Sequence, residues 1–122
     1  MNLRDPKLTA LQFNEYINNQ DIKGLSSLMA EDHIFIDRQG NSDSNMINGW
    51  KRFFREWPTY KNFFTRVESQ GNLVILNGYA IWSEDSTEKD HAIWTTNIEN
   101  DLLVNWVIYE DTEENRKRLG II

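Results

Sequence analysis

Residues 19–57 read NQDIKGLSSLMAEDHIFIDRQGNSDSNMINGWKRFFREW, and they hold a short helix, a strand and an aromatic helix in under forty residues. Asp21 is placed to cap the short helix, whose inward face is Ile22, Leu25, Leu28 and Met29. The strand is expected over His33 to Asp37, with the apolar run Ile34-Phe35-Ile36 closed by Asp37. Gln39 to Asn45 is polar loop, and Ser42, Asp43 or Ser44 can cap the next helix. That third helix is the clearest periodic segment. Met46, Trp50, Phe53, Phe54 and Trp57 fall at i, i+4, i+7, i+8 and i+11, one continuous apolar face. Lys51, Arg52, Arg55 and Glu56 take the wet face, and Pro58 stops the helix. A carboxylate at the end of an apolar strand, facing an aromatic helix, stands where a general base can work. Asp37 is therefore the one residue that points directly to chemistry.

Outward from this stretch the chain keeps the same order. Upstream, Asp5-Pro6 reads as N-cap and first helical residue of a helix reaching about Asn18. Downstream, the second half reads as strands: Phe63 to Ser69, Leu73 to Ser83, His91 to Ile98 and Leu102 to Tyr109. Turns are expected at Gly71-Asn72, at Glu84 to Thr87 and at Glu99-Asn100-Asp101. Gly78, inside the longest strand, signals a bulge or bend. Asp111 or Thr112 caps a last short helix that Gly120 ends. Helices first and an antiparallel meander after is an α+β pattern. The expected architecture is one curved, mainly antiparallel sheet wrapped on an aromatic helix, a cone with an internal cavity.

Composition narrows the function classes. The 122 residues fit a single domain over 1–122, long enough for a real core. With no cysteine, neither disulfides nor thiolate metal sites are available, which favours a cytoplasmic protein. Met-Asn-Leu-Arg-Asp-Pro at the start lacks a signal-peptide apolar core. No apolar run approaches the roughly 20 residues that span a bilayer, so no membrane partner is expected. The net charge of −6 repels phosphate backbones and argues against nucleic acid. Five Trp, six Phe and four Tyr supply either core or the walls of an apolar ligand pocket.

Asn19-Gln20-Asp21, then Leu25, Leu28 and Met29, then Ala30-Glu31-Asp32 running into His33 to Asp37, with Gly49 and the Phe53-Phe54 pair, resemble the nuclear transport factor 2-like (NTF2-like) superfamily. The branch they are most similar to is the SnoaL-like group of polyketide cyclases and ketosteroid isomerase relatives. The resemblance covers nearly the whole chain. It implies the cone-shaped fold and a pocket for a small hydrophobic molecule that is polyketide-, steroid- or lactone-like. It implies a catalytic Asp at the end of the first strand, which falls on Asp37, for isomerisation, cyclisation or hydrolysis. The isomerase relatives also carry a Tyr on the first helix and an acid on a late strand as oxyanion donors. Those places fall on Phe13 and Ala92, neither of which can donate a side-chain hydrogen bond.

Each candidate has a plainer alternative. Asp37 can cap the turn Arg38-Gln39-Gly40 instead of moving protons. His91 is the possible acid–base partner, yet by alternation it points away from Trp94. His33 shares the parity of Asp37 and is either cavity wall or strand start. Phe13, Trp50, Phe54 and Trp94 are ligand-binding candidates, or plain core. Strict alternation puts Leu103, Asn105, Val107 and Tyr109 on the cavity face, with Asn105 and Tyr109 as polar groups there. The same reading turns Trp106 outward, with Ile93 and Ile108 beside it, and so expects a homodimer through the outer face of the sheet. No metal-ligand spacing and no cofactor motif is present in the sequence. The expectation is a small-molecule enzyme with Asp37 as acid–base; the alternative is a non-catalytic ligand-binding or protein-interaction module of the same fold.

Overall fold

The computed structural model describes residues 2–84 and 87–121. Residues 85 and 86, inside the expected turn at Glu84 to Thr87, lie outside the described residues. In chain order the elements are α1 (Pro6–Asn18), α2 (Ile22–Leu28), β1 (Met29–Ile36), β2 (Ser42–Asp43), α3 (Met46–Glu56), β3 (Lys61–Gln70), β4 (Leu73–Ile81), β5 (Asp90–Glu99), β6 (Leu102–Glu110) and α4 (Glu113–Leu119).

The caps agree closely with the sequence. Asp5 accepts from the Lys7 N–H at 3.0 Å, with Pro6 opening α1. Asp21 accepts from the Gly24 N–H at 2.9 Å. Thr112 accepts from Asn115 at 3.1 Å, and Gly120 closes α4 at φ 75°, a left-handed position that suits glycine. At α3 the capping role is displaced. Asn45 makes no cap bond with its side chain, and Asp43 accepts from the Asn45 N–H at 2.8 Å. Met29 leaves its expected helix and starts β1, four residues before His33.

The six strands form one open sheet in the order β2-β1-β6-β5-β4-β3. All neighbours are antiparallel except β1 and β6. The helices α1, α2 and α3 supply Phe13, Ile17, Leu25, Met46, Trp50 and Phe54 to a core shared with Val74, Leu76, Trp94, Ile98, Leu103 and Trp106 of the sheet. On the opposite face, Ile121 just beyond α4 covers Ile75 and Ile93 in a second, smaller cluster with Tyr109.

Two bulges bend the sheet. One lies in β3, where Phe64 pairs with Gly78 but Arg66 pairs with Asn77, leaving Thr65 as the extra residue. Gly78 sits against that bulge: a Cβ there would lie 1.9 Å from the Phe63 carbonyl oxygen. The second lies in β6. Thr95 pairs with Val107 while Ile98 pairs with Leu103, so β6 carries one residue more than β5 between those pairs. Asn105 holds the irregularity together, its Oδ1 accepting from the Asn97 N–H at 2.8 Å and its carbonyl from Thr96 Oγ1 at 2.6 Å.

The β6 bulge corrects three expectations. Leu103 faces the core, as alternation requires. Beyond the extra residue parity inverts, and Trp106 and Ile108 face inward. Asn105 is spent on the bulge and Tyr109 packs in the outer cluster, so neither lines the cavity. Trp106 is 1% exposed and packs on Phe13 at 5.0 Å between ring centroids. It cannot form a sheet-face dimer contact. Ile93 is fully buried and Ile108 lines the cavity, so none of the three residues named for that interface is available to it. Among the described residues no helix is long and apolar enough to cross a membrane.

Candidate functional site

Between α3 and the inner face of the sheet lies a cavity of about 500 Å³. This is within the range typical of small-molecule sites. Its inner wall is aromatic. Trp50 and Phe53 come from α3, Trp94 from β5 and Trp106 from β6, with Phe35 of β1 and Ile108 beside them. The amphipathic spacing of α3 puts Trp50 there, where it stacks on Phe54 at 5.5 Å and meets Phe53 edge-on at 5.8 Å. Tyr60 and Trp82 close one side, 4.7 Å apart between ring centroids. The rim is the exposed turn after β1, with Gln39, Asn41 and Ser42, and Arg52 of α3.

Asp37 lies at this rim and lines the cavity. Its Oδ1 accepts from the backbone N–H groups of Gln39 and Asn41, both at 2.9 Å. The carboxylate is thus the cap of the turn, the plainer of its two sequence readings, and is fixed in place beside the opening. His91 stands elsewhere. It is exposed on the outer face of the sheet, 5.8 Å from the Tyr79 ring, and does not line the cavity. Its alternation away from Trp94 decides this, and an acid–base pair with Asp37 is not formed.

The remaining sequence candidates divide in two. Trp50 and Trp94 line the cavity. Phe13 and Phe54 stand behind the wall: Phe13 is fully buried against Trp50, Trp106 and His33, and Phe54 backs Trp50. His33 also lies in this backing layer. Its Nδ1 bonds the Leu103 carbonyl at 2.8 Å, which makes Nδ1 the protonated nitrogen, since a carbonyl only accepts. Burial pushes the His33 pKa below its ordinary value, the Leu103 bond and the Asp32 charge acting the other way.

Three polar residues at the wall, Arg38, Tyr60 and Asn62, and the Arg38 partner Asp90 escape a reading of the sequence. Arg38 forms an ion pair with Asp90 at 2.8 Å, and Trp82 Nε1–H donates to the same carboxylate oxygen at 2.9 Å. In the sequence Arg38 reads as turn and Asp90 as solvated surface; they are 52 residues apart in the chain. Tyr60 is 5% exposed, and burial pushes its phenol well above the ordinary value, with the Arg38 charge opposing. The phenol therefore stays a hydrogen-bond donor at any physiological pH. Asn62 is 2% exposed and tied to α1. Its N–H donates to Asn18 Oδ1 at 2.8 Å, and its Nδ2 donates to Asn14 Oδ1 at 3.2 Å. The one sequence signal is a set of asparagines, Asn14, Asn18 and Asn62, at otherwise apolar positions.

Three buried polar atoms of wall residues have no hydrogen-bond partner among the described residues: Trp50 Nε1, Trp94 Nε1 and Asn62 Oδ1. Among the described residues no three His, Asp or Glu side chains gather as a metal site would require.

No family model matches the sequence, and no curated protein matches it. Solved structures do match by fold. An NTF2-like protein of unknown function from Cytophaga hutchinsonii superposes with a TM-score of 0.72 at 13% identity, over 95% of each chain. A Shewanella putrefaciens protein described as a SnoaL-like polyketide cyclase gives 0.75 at 15% identity, over 98% of this chain and 88% of that one. TerC, co-crystallised with polyporic acid, gives 0.72 at 17% identity, over 95% of this chain and 99% of its own. The order of elements, the open curved sheet and these likenesses together show that the chain has the NTF2-like fold.

Proposed function

We propose that this protein binds a small, largely apolar, ring-containing molecule in the cavity between α3 and the sheet. The observation that carries the reading is the wall itself: large aromatic side chains from four elements around about 500 Å³, with a few fixed polar groups among them. A packed core of this composition would close on itself, because interiors reach crystal-like density. Support also comes from TerC, which shares the fold and was crystallised with polyporic acid. The test is a thermal-shift panel of neutral bicyclic and tricyclic ketones, lactones and hydrocarbons. A ligand at a hundredfold over its Kd stabilises by about 2.7 kcal/mol. A cavity-filling Ile108→Trp substitution is expected to abolish the shift. A shift that survives it places binding elsewhere and defeats the proposal.

Catalysis is a second reading, favoured by the position of Asp37. Its carboxylate lines the rim, held in one orientation by two backbone N–H groups. Under this reading Asp37 exchanges a proton with the bound ligand, and the protonated Tyr60 phenol donates to the oxygen on which charge develops. Asp37→Asn keeps much of the turn cap, so binding is expected to persist while turnover is lost. Equal turnover in the variant removes Asp37 from the chemistry.

A further inference from the structure

We infer that Asp90 sets the charge selectivity of the cavity without lining it: its carboxylate neutralises Arg38 on the wall and so denies anionic ligands a partner there. This inference rests on the binding reading above. Arg38 and Trp82 line the cavity, and Asp90 does not. Arg38 stands in the turn after β1 and Trp82 one residue past the end of β4, so neither belongs to a strand. Asp90 opens β5 and is fixed there by its pairing with Ala80. Its Oδ2 accepts from Arg38 Nη2 at 2.8 Å and from Trp82 Nε1 at 2.9 Å. A strand residue outside the cavity thus holds two side chains that line it.

Arg38 is open to a ligand. Its side chain is 21% exposed and lines the cavity. A guanidinium carries several N–H donors, and the bond to Asp90 uses only one on Nη2. What a ligand meets at this group therefore depends on Asp90. With the carboxylate ionised, the pair has no net charge. Tyr60 registers both members: beneath the larger effect of burial, the Arg38 charge lowers its pKa and the Asp90 charge raises it. Elsewhere at the rim, Arg52 faces Asp43 at 3.6 Å, and Asp37 enters no ion pair among the described residues. An anion therefore gains no net attraction from this rim. Once the Asp90 charge is removed, Arg38 becomes an unpaired cation beside aromatic rings, where charges act strongly.

The experiment is isothermal titration of the full 122-residue chain with 2-naphthamide and 2-naphthoate, which share ring and shape and differ in charge. The readout is the ratio of the two affinities, with naphthamide the tighter in wild type. Asp90→Asn keeps the shape of the side chain and an oxygen for the Trp82 N–H, and removes the charge. It is expected to move the ratio about tenfold towards naphthoate, the worth of one hydrogen bond to a charged group. Arg38→Gln has the opposite sign. It leaves Asp90 unpaired and is expected to move the ratio about threefold towards naphthamide. The double variant has neither charge, and its ratio is expected to return to within about threefold of wild type. Should Asp90→Asn fail to fold, Arg38→Gln alone decides. An unmoved ratio in the deciding variant, or a gain for naphthoate that survives the loss of Arg38, overturns the inference and leaves the binding reading standing. Failure of both compounds to bind any of these proteins overturns the binding reading and this inference together.

Discussion

β5 and β6 are hydrogen-bonded neighbours of similar composition, yet one shows its faces in the sequence and the other hides them. In β5, Ala92, Trp94 and Ile98 face the main core and Ile93 faces the outer cluster, a plain alternation. In β6, Leu103 faces the core, and so do Trp106 and Ile108, an odd position followed by two even ones. A single extra residue separates the two behaviours. Alternation is a property of a regular ladder, and one bulge exchanges every side chain beyond it. That inversion carries Trp106 from an expected dimer contact to the back of the cavity, and carries Asn105 and Tyr109 out of the site.

The comparison breaks most visibly at Trp106. Trp106→Ala is expected to cost about 4 kcal/mol in urea unfolding, as a fully buried aromatic truncation, while Tyr109→Ala on the other face costs less than half of that. The reverse order would restore plain alternation in β6. Next comes the bulge in β3. Gly78→Ala places a Cβ 1.9 Å from the Phe63 carbonyl, and since backbone must move, a loss of about 3 kcal/mol is expected, read as a lower urea midpoint. A neutral Gly78→Ala would mean that β3 carries no fixed bulge. Asn105 sharpens the comparison more gently. Asn105→Ala frees the Asn97 N–H in the bulge, with an expected loss of about 1 kcal/mol and no change in ligand affinity. A large fall in affinity would return Asn105 to the cavity.

The smallest effect is a pH slope. Burial lowers the His33 pKa in the folded state below its value of 6.5 in the unfolded chain. Below 6.5 the unfolded chain then binds more protons than the folded one, so this contribution is complete above that value and is lost as the pH falls. Urea unfolding at pH 7.5 and 5.5 is expected to show a smaller fall in stability for His33→Gln than for wild type. Identical falls would remove His33 from the titration.

The legibility of the chain tracks the range of its interactions. Helix caps, the aromatic stripe of α3 and the strands are local, and Asp5, Asp21, Trp50 and Gly120 announce them. The placement of Asp37 at the strand end is legible too, and so is its turn. The polar wall is not. Arg38, the Tyr60 and Asn62 pair, and Asp90 come from three separate parts of the chain, and each looks ordinary beside its own neighbours. Only the folded sheet brings Arg38 to Asp90 and sets it on the same wall as Tyr60 and Asn62. The β6 bulge itself has no glycine to mark it, being held by an asparagine that reads equally well as a pocket residue.

The measurement that bears most directly on a binding site inside the sheet uses the tryptophans as their own reporters. Four of the five, Trp50, Trp82, Trp94 and Trp106, line the cavity, and Trp57 does not. The indole N–H resonances of ¹⁵N-labelled protein can be assigned by single Trp→Phe variants and followed while 6-hydroxy-1-tetralone is added. The expected result is movement of the four cavity resonances, with Trp57 stationary. Movement of Trp57 alone, or none in any indole with the ligand in large excess, would contradict a binding site on the inner face of the sheet.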